Sequence, residues 1–363
     1  MGGRTGSLED LDVTPDRWRG RRVFITGHTG FKGSWLTLML HSFGADVTGY
    51  ALTPPTDPSM FATLGLKADI RHVIGDIRDP ARLVAAMVES EADTVFHLAA
   101  QPLVRQSYVD PVETYATNVM GTVNVLEAVR RSASVRHVVS VTTDKCYENR
   151  EWPWPYREDE ALGGFDPYSS SKACAEHVTS AYRNSFLRDH GVRIASARAG
   201  NVIGGGDWAD NRLVPDFFRA ADAGDPVRCR YPAALRPWQH VLEPVGGYVT
   251  LAEALIERGE DVAEAWNFGP SEDDALPVGW ILDRLTALYG GPGWVRDGDD
   301  HPHEAGLLKL DSSKARQRLG WKPVWRLDRA LEETVAWHRA WRDGDDMTRT
   351  TLAQIDRFMA GTA

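Results

Sequence analysis

A β-branched run that ends on glycines spaced three apart constrains this chain more than any other feature. Arg22-Val23-Phe24-Ile25-Thr26 reads as a short buried strand, Gly27-His28-Thr29-Gly30-Phe31-Lys32-Gly33 follows at once, and Phe31 to Phe43 reads as a helix. Val47-Thr48-Gly49-Tyr50 supplies a second strand. Strand, helix and strand in so short a span form a crossover unit, which joins parallel strands. The alternation continues with strands near Arg71–Ile74, at Thr94–His97 and at His137–Thr142, and with helices near Ala81–Ser90 and over Val112–Arg131. A further helix runs from Tyr168 to about Leu187, and a strand follows at Arg193–Ala197. The predicted fold class is α/β: a doubly wound parallel sheet of Rossmann type with helices on both faces and a smaller C-terminal substrate lobe.

In such a sheet the first strand-to-helix turn is an anion site. Gly27, Gly30 and Gly33 permit the tight turn, let backbone N–H groups approach a pyrophosphate and let helix and strand pack closely, while the helix N-terminus faces the anion. The expected ligand is a nicotinamide dinucleotide. An acid after the second strand would bond the ribose 2′-hydroxyl, and an arginine there would accept a 2′-phosphate. Neither is present, and no Arg or Lys lies between Lys32 and Lys67, which favours NAD over NADP.

At 363 residues the chain can hold a dinucleotide domain and a smaller lobe. Residues 1–20 are expected to be a disordered tail, 21–200 the dinucleotide domain, 201–345 mainly the substrate lobe, and 346–363 a C-terminal helix or tail. Runs near Val227–Cys229 and Ala265–Phe268 are expected to return to the main sheet as strands. A net charge of −10 argues against a nucleic-acid partner, because that affinity rests on concentrated positive charge. Cys146, Cys174 and Cys229 have no paired spacing and fit a reducing cytoplasm, the histidines have no metal-ligand spacing, so no metal is expected, and no apolar run is long enough for a membrane span.

Tyr168 and Lys172 stand at i and i+4 in Tyr-Ser-Ser-Ser-Lys, so a helix sets both on one face. A tyrosine can take a proton from a sugar hydroxyl only as phenolate, and a neighbouring ammonium lowers its pKa toward working pH.

These residues, with His97-Leu98-Ala99-Ala100, Asn118 in Asn-Val-Met-Gly-Thr and Thr142-Thr143-Asp144, resemble the extended short-chain dehydrogenases across roughly residues 20–345. More narrowly, Gly27 to Trp35, Asp144-Lys145-Cys146-Tyr147-Glu148-Asn149, Gly200 to Trp208 and Arg236-Pro237-Trp238-Gln239-His240 resemble the CDP-glucose 4,6-dehydratase branch of the nucleotide-sugar dehydratases. The resemblance implies NAD as cofactor and a redox-neutral reaction. C4 is oxidised, water leaves across C5–C6 and the hydride returns to C6. The order is chemically necessary, since only a C4 ketone makes the C5–H acidic enough for elimination.

By the same resemblance Tyr168 removes the C4 hydroxyl proton, Lys172 tunes it and holds the nicotinamide ribose, Thr143 bonds the C4 oxygen, and Asp144 protonates the departing C6 hydroxyl. Lys145 stands where the dTDP-glucose enzymes carry the acid that serves as C5 base, which leaves that base open among Lys145, Glu148, Glu151 and water. Cofactor contacts are expected from Gly27, Thr29, Gly30, Phe31, Lys32, Gly33, Asp76, Ile77, Leu98, Ala99, Ala100 and Asn118, besides Tyr168 and Lys172. Substrate contacts are expected from Gln101, Asn201, Arg212, Leu213, Arg236, Trp238 and His303, the arginines suiting diphosphate oxygens. The helices over Val112–Arg131 and Tyr168–Leu187 correspond to a dimer interface in relatives, so a homodimer is expected. Two other functions use the same turn and Tyr/Lys pair: a 4-epimerase or reductase, against which Asp144-Lys145 argues, and a non-catalytic NAD-sensing regulator, against which intact Thr143, Tyr168 and Lys172 argue.

Overall fold

The computed structural model describes residues 13–298 and 306–361. Its twelve strands are β1 Arg22–Thr26, β2 Asp46–Ala51, β3 Arg71–Ile74, β4 Thr94–His97, β5 His137–Val141, β6 Arg193–Ala199, β7 Asn201–Ile203, β8 Val227–Cys229, β9 Leu235–His240, β10 Ala265–Phe268, β11 Ala275–Pro277 and β12 Trp294–Arg296. Seven of them form one parallel sheet in the order β10-β6-β5-β4-β1-β2-β3. The order reverses between β1 and β4, and the crevice beyond the carboxyl ends of those two strands is where an open α/β sheet binds its ligand.

β1, β4 and β5 carry almost continuous apolar or small residues because both faces of the sheet are covered. On one face the helices Phe31–Ser42 and Leu242–Arg258 bring Trp35, Leu36, Met39, Tyr248 and Leu251 against Ile25, Phe96 and Val139. On the other, Pro80–Ser90 and Gly121–Arg131 bring Leu83, Met87, Leu126 and Val129 against Phe24, Val95 and Val138. A separate cluster of Phe217, Phe218, Ile281, Leu285, Leu331 and Val335 holds the C-terminal lobe together.

Three expectations need correction. Residues 13–20 are not a tail: Trp18 is fully buried, and its indole N–H donates to Glu253 at 2.7 Å, an anchor that a lone tryptophan in polar sequence does not announce. Val227–Cys229 is a strand, but it does not return to the main sheet; it pairs in parallel with Trp294–Arg296 in a two-stranded sheet, whereas Ala265–Phe268 does return, beside β6. The helix read as continuous over Val112–Arg131 runs as Pro111–Tyr115 and Gly121–Arg131 joined by wider π-helical turns over Ala116–Met120.

Candidate active site

The carboxyl ends of β1, β4 and β5 open onto a cleft of about 1400 Å³, larger than the ~300–1,000 Å³ of a single small-ligand site and suited to a dinucleotide beside a second ligand. The glycine turn forms one wall. A Cβ on Gly27 would lie 2.6 Å from the Ala99 nitrogen, and one on Gly33 would lie 2.1 Å from the Gly27 carbonyl, so neither position admits a side chain. Gly30, at the N-cap of the helix Phe31–Ser42, faces the cleft. Thr26 holds the opposite lip: its hydroxyl oxygen accepts from the N–H groups of Leu98 and Ala99 at 3.2 and 3.3 Å. Behind it His97 bonds Thr26 at 2.8 Å and Thr122 at 3.2 Å, and burial keeps the imidazole neutral, pushed down to about 3. These constraints leave backbone N–H groups and an open crevice where a pyrophosphate would rest.

The π-helical turns have a local use. They rotate Asn118 inward, where its carbonyl accepts from Gln101 N at 2.8 Å and its amide donates to Ser171 Oγ at 2.9 Å. The lip, this helix and the helix that carries the Tyr/Lys pair are thereby tied together.

That last helix, Pro167–Tyr182, starts where it does because Pro167 occupies its first turn and the Asp166 carboxylate accepts from Ser169 N at 3.0 Å. The cap fixes Tyr168 and Lys172 on the cleft side, both buried. The Lys172 ammonium donates to the Val141 carbonyl at 3.3 Å; burial draws it down to about 8, against the pull of Glu176. Burial drives the Tyr168 phenol up, and its hydrogen bond with Thr143 offsets part of this.

Immediately after β5, Thr143 caps a single 3₁₀ turn, Asp144–Cys146. Its hydroxyl donates to Asp144 Oδ1 at 2.9 Å, while Asp144 Oδ2 is enclosed without a hydrogen-bond partner among the described residues. Burial therefore raises the Asp144 carboxyl, although Lys145, Thr143, Arg236 and Lys32 act against it. A buried carboxyl raised in this way, with one oxygen unbonded, is suited to hand a proton to an acceptor.

The structure brings Thr143, Asp144, Lys145, Tyr168 and Lys172 into this one cleft with Gly27, Thr29, Gly30, Phe31, Lys32, Gly33, Asp76, Ile77, Leu98, Ala99 and Ala100. Gln101, Asn201, Arg212, Leu213, Arg236 and Trp238 line it as well, whereas His303 lies outside the described residues. Several are already engaged. Gln101 spends its amide on Leu103 and Thr114, Arg212 pairs with Asp207 at 2.8 Å, Arg236 donates to the carbonyls of Leu235 and Gly306, and Trp238 donates to the Leu276 carbonyl at 3.3 Å. Lys32, beside the dinucleotide turn, also lies within electrostatic reach of Asp144 and Lys172. By surface area it is only partly buried, yet desolvation and Arg212 bring its ammonium down to about 8, with Asp144, Lys172 and Asp207 also acting on it.

Of the alternative C5 bases, Glu148 is exposed and 3.7 Å from Arg150, and Glu151 accepts from Gly306 N at 2.6 Å. Sequence reasoning missed Arg78. It lies beyond β3, outside the interval searched for a cation, and lines the cleft with its guanidinium forked onto Asp76 at 2.7–3.0 Å. No group of three or more His, Cys, Asp or Glu able to hold a metal occurs among the described residues. No helix among them is long and apolar enough to cross a membrane.

Comparison with known proteins agrees with this geometry. The chain is 52% identical over 351 residues to a CDP-glucose 4,6-dehydratase of Salmonella typhimurium, covering 95% of this chain and 98% of that protein. It is 32% identical over 332 residues to a dTDP-glucose 4,6-dehydratase of Streptomyces griseus, covering 88% and 95%. A dTDP-glucose 4,6-dehydratase from Bacillus anthracis, solved in complex with NAD, has the same fold, with a TM-score of 0.74 over 91% of this chain and 100% of that one at 21% identity. Residues 23–269 match the NAD dependent epimerase/dehydratase family, and this chain is a member of it.

Proposed function

We propose that this chain is an NAD-dependent CDP-glucose 4,6-dehydratase, forming CDP-4-keto-6-deoxyglucose. The observation that carries the reading is the Asp144 carboxyl, buried and raised, one residue from Thr143 and in the same cleft as Tyr168 and Lys172. A 4-epimerase or a simple reductase needs the Tyr/Lys pair but has no use for a second acid. The 52% identity to a CDP-glucose 4,6-dehydratase supports the same assignment.

NAD would lie along Gly27–Gly33, Leu98–Ala100 and Asp76–Ile77, with Lys172 beside its ribose, and supplies the hydride acceptor at C4 and donor at C6. The chain's own groups move the protons. Tyr168 takes the C4 hydroxyl proton, with Lys172 favouring the phenolate and Thr143 bonding the C4 oxygen. Asp144 then delivers its proton to the C6 oxygen as the C5 proton leaves. Lys145, at the mouth of the turn, either takes that proton or stays charged and stabilises the enolate. Asn201, Arg212 and Arg236 meet the diphosphate and its ribose, and the lobe after residue 200 shapes the pocket for the nucleotide.

The exposed apolar side chains Val109 and Val112, 77% and 78% exposed, with Met120 and Phe186, lie on Val104–Val109, the broken helix Pro111–Arg131 and the turn after Tyr182. They support a homodimer through these helices. Three free cysteines, two of them buried, suit the reducing cytoplasm.

The test is a panel of CDP-, dTDP-, UDP- and GDP-glucose assayed for a 4-keto-6-deoxy product. The highest kcat/KM with CDP-glucose, without net consumption of NAD, is expected. An equal or higher value with dTDP-glucose overturns the assignment.

A further inference from the structure

Behind the reacting groups lies a buried ion pair that the reaction scheme does not use. Glu176 and Arg198 each expose 3% of their side chains, and they meet through two hydrogen bonds, Nε to Oε1 at 3.0 Å and Nη2 to Oε2 at 2.9 Å. The same carboxylate accepts from the hydroxyls of Thr142 and Ser196. Arg198 also donates to the Tyr147 hydroxyl at 2.7 Å, and that hydroxyl donates to Asn267 Oδ1 at 2.8 Å. One network thus grips Thr142 and Tyr147, the two residues that bracket Thr143–Cys146, and ties them to β6 and β10. Glu176 stands four residues after Lys172 on the same helix, hence on the same face.

We propose that Glu176, paired with Arg198, is a positioning residue for the reaction: it pins both ends of the turn that carries Thr143, Asp144 and Lys145, and sets a carboxylate one helical turn behind the Lys172 ammonium. As a brace alone the pair gains little, since burying two charges stabilises no more than an apolar pair of the same volume. What an apolar pair cannot provide is a fixed negative charge at this place. Burial opposes ionisation of Glu176, but Arg198, Thr142 and Ser196 outweigh it, so the carboxylate is charged. Of the other groups around Lys172, burial keeps the Cys146 thiol neutral, His97 is neutral, Lys32 is a like charge, and burial raises the Tyr168 phenol, which is negative only while it serves as the phenolate. Glu176 is therefore the fixed counter-charge that keeps Lys172 protonated where Tyr168 needs it.

This inference rests on the role given to Lys172, and the experiment separates the two. Turnover of CDP-glucose is followed against pH in the parent, in Glu176→Gln and in Lys172→Arg. The parent should lose activity at high pH as Lys172 deprotonates. Glu176→Gln should move that limb down by about one pH unit or more, because removing a negative charge lowers a neighbouring ammonium. Lys172→Arg, which does not titrate there, should lose the limb. A limb that vanishes in Lys172→Arg but stays in place in Glu176→Gln overturns the proposal; a limb that survives in Lys172→Arg overturns the role of Lys172 itself. If Glu176→Gln does not fold because Arg198 is left unpaired, Glu176→Gln/Arg198→Met removes both charges at similar volume. A downward shift, smaller because the positive charge of Arg198 goes too, is expected there, since Glu176 is the group that raises Lys172, and an unmoved limb overturns the proposal.

Discussion

Replacing Asp144 by asparagine should make the protein more stable toward neutral and alkaline pH and the reaction slower. The carboxyl is buried, one oxygen accepts from Thr143 and the other has no partner among the described residues. Asparagine keeps the acceptor for Thr143 and replaces a titratable group by one that carries no charge at any pH. Folding lifts the Asp144 carboxyl above its ordinary value of 3.8, so the native state holds the proton more tightly than the unfolded chain. Its contribution to stability is fully present below the unfolded value and is lost as pH rises through the folded one, by about 1.4 kcal/mol for each unit between them. The amide that replaces it does not titrate. The melting temperature of Asp144→Asn should therefore match or trail the parent in acid and rise above it toward neutral and alkaline pH. A gain of one kcal/mol corresponds to about 2–4 °C in domains of about 150–250 residues and less in a longer chain. Over the same pH range the variant cannot supply the proton for C6–OH loss, and dehydration should fall roughly 10²–10⁴-fold, the worth of a positioned acid. Calorimetry across pH, with product analysis at each point, reads both. A variant that melts progressively below the parent as pH rises, or that dehydrates at the parental rate, refutes the reasoning.

Tyr168→Phe should bind NAD as the parent does, by titration calorimetry, and turn over roughly 10²–10⁴-fold more slowly; a loss of only a few-fold would send the C4 proton elsewhere. Lys145→Met should still reduce the bound cofactor on adding CDP-glucose, read by its absorbance, yet fail to exchange the C5 hydrogen with deuterated solvent; normal dehydration would make Lys145 a substrate-binding or structural residue. Val112→Glu, on the exposed apolar strip, should convert a dimer to a monomer by light scattering without lowering the melting temperature of the folded unit by more than a few degrees, and an unchanged mass would place the interface elsewhere.

Much of this site is local in sequence, which is why it could be read there. The turn Gly27–Gly33 needs its glycines for contacts a few residues away and at the end of β4, and the Tyr168–Lys172 face follows from helical periodicity alone. The strands Arg22–Thr26, Arg71–Ile74 and Thr94–His97 fall where short apolar runs between turns put them. What was not legible is pairing at a distance. Val227–Cys229 has the composition of a strand, but nothing in it says that Trp294–Arg296, rather than β6, will be its neighbour. Trp18 reaches Glu253, and Glu176 reaches Arg198 and Ser196, through contacts that only the folded chain brings together. Arg78 is not legible from the segment after β2, because only the sheet sets β3 beside it and opens both onto the same cleft.

The central claim, that one cleft oxidises C4, expels water across C5–C6 and reduces C6 in a single substrate molecule, is tested most directly with CDP-glucose carrying deuterium at C4. The account predicts CDP-4-keto-6-deoxyglucose with that deuterium on C6, and with no net change in the NAD pool. Deuterium returned to C4 in the epimeric sugar, or accumulated on released reduced cofactor beside an undehydrated 4-ketose, would contradict it.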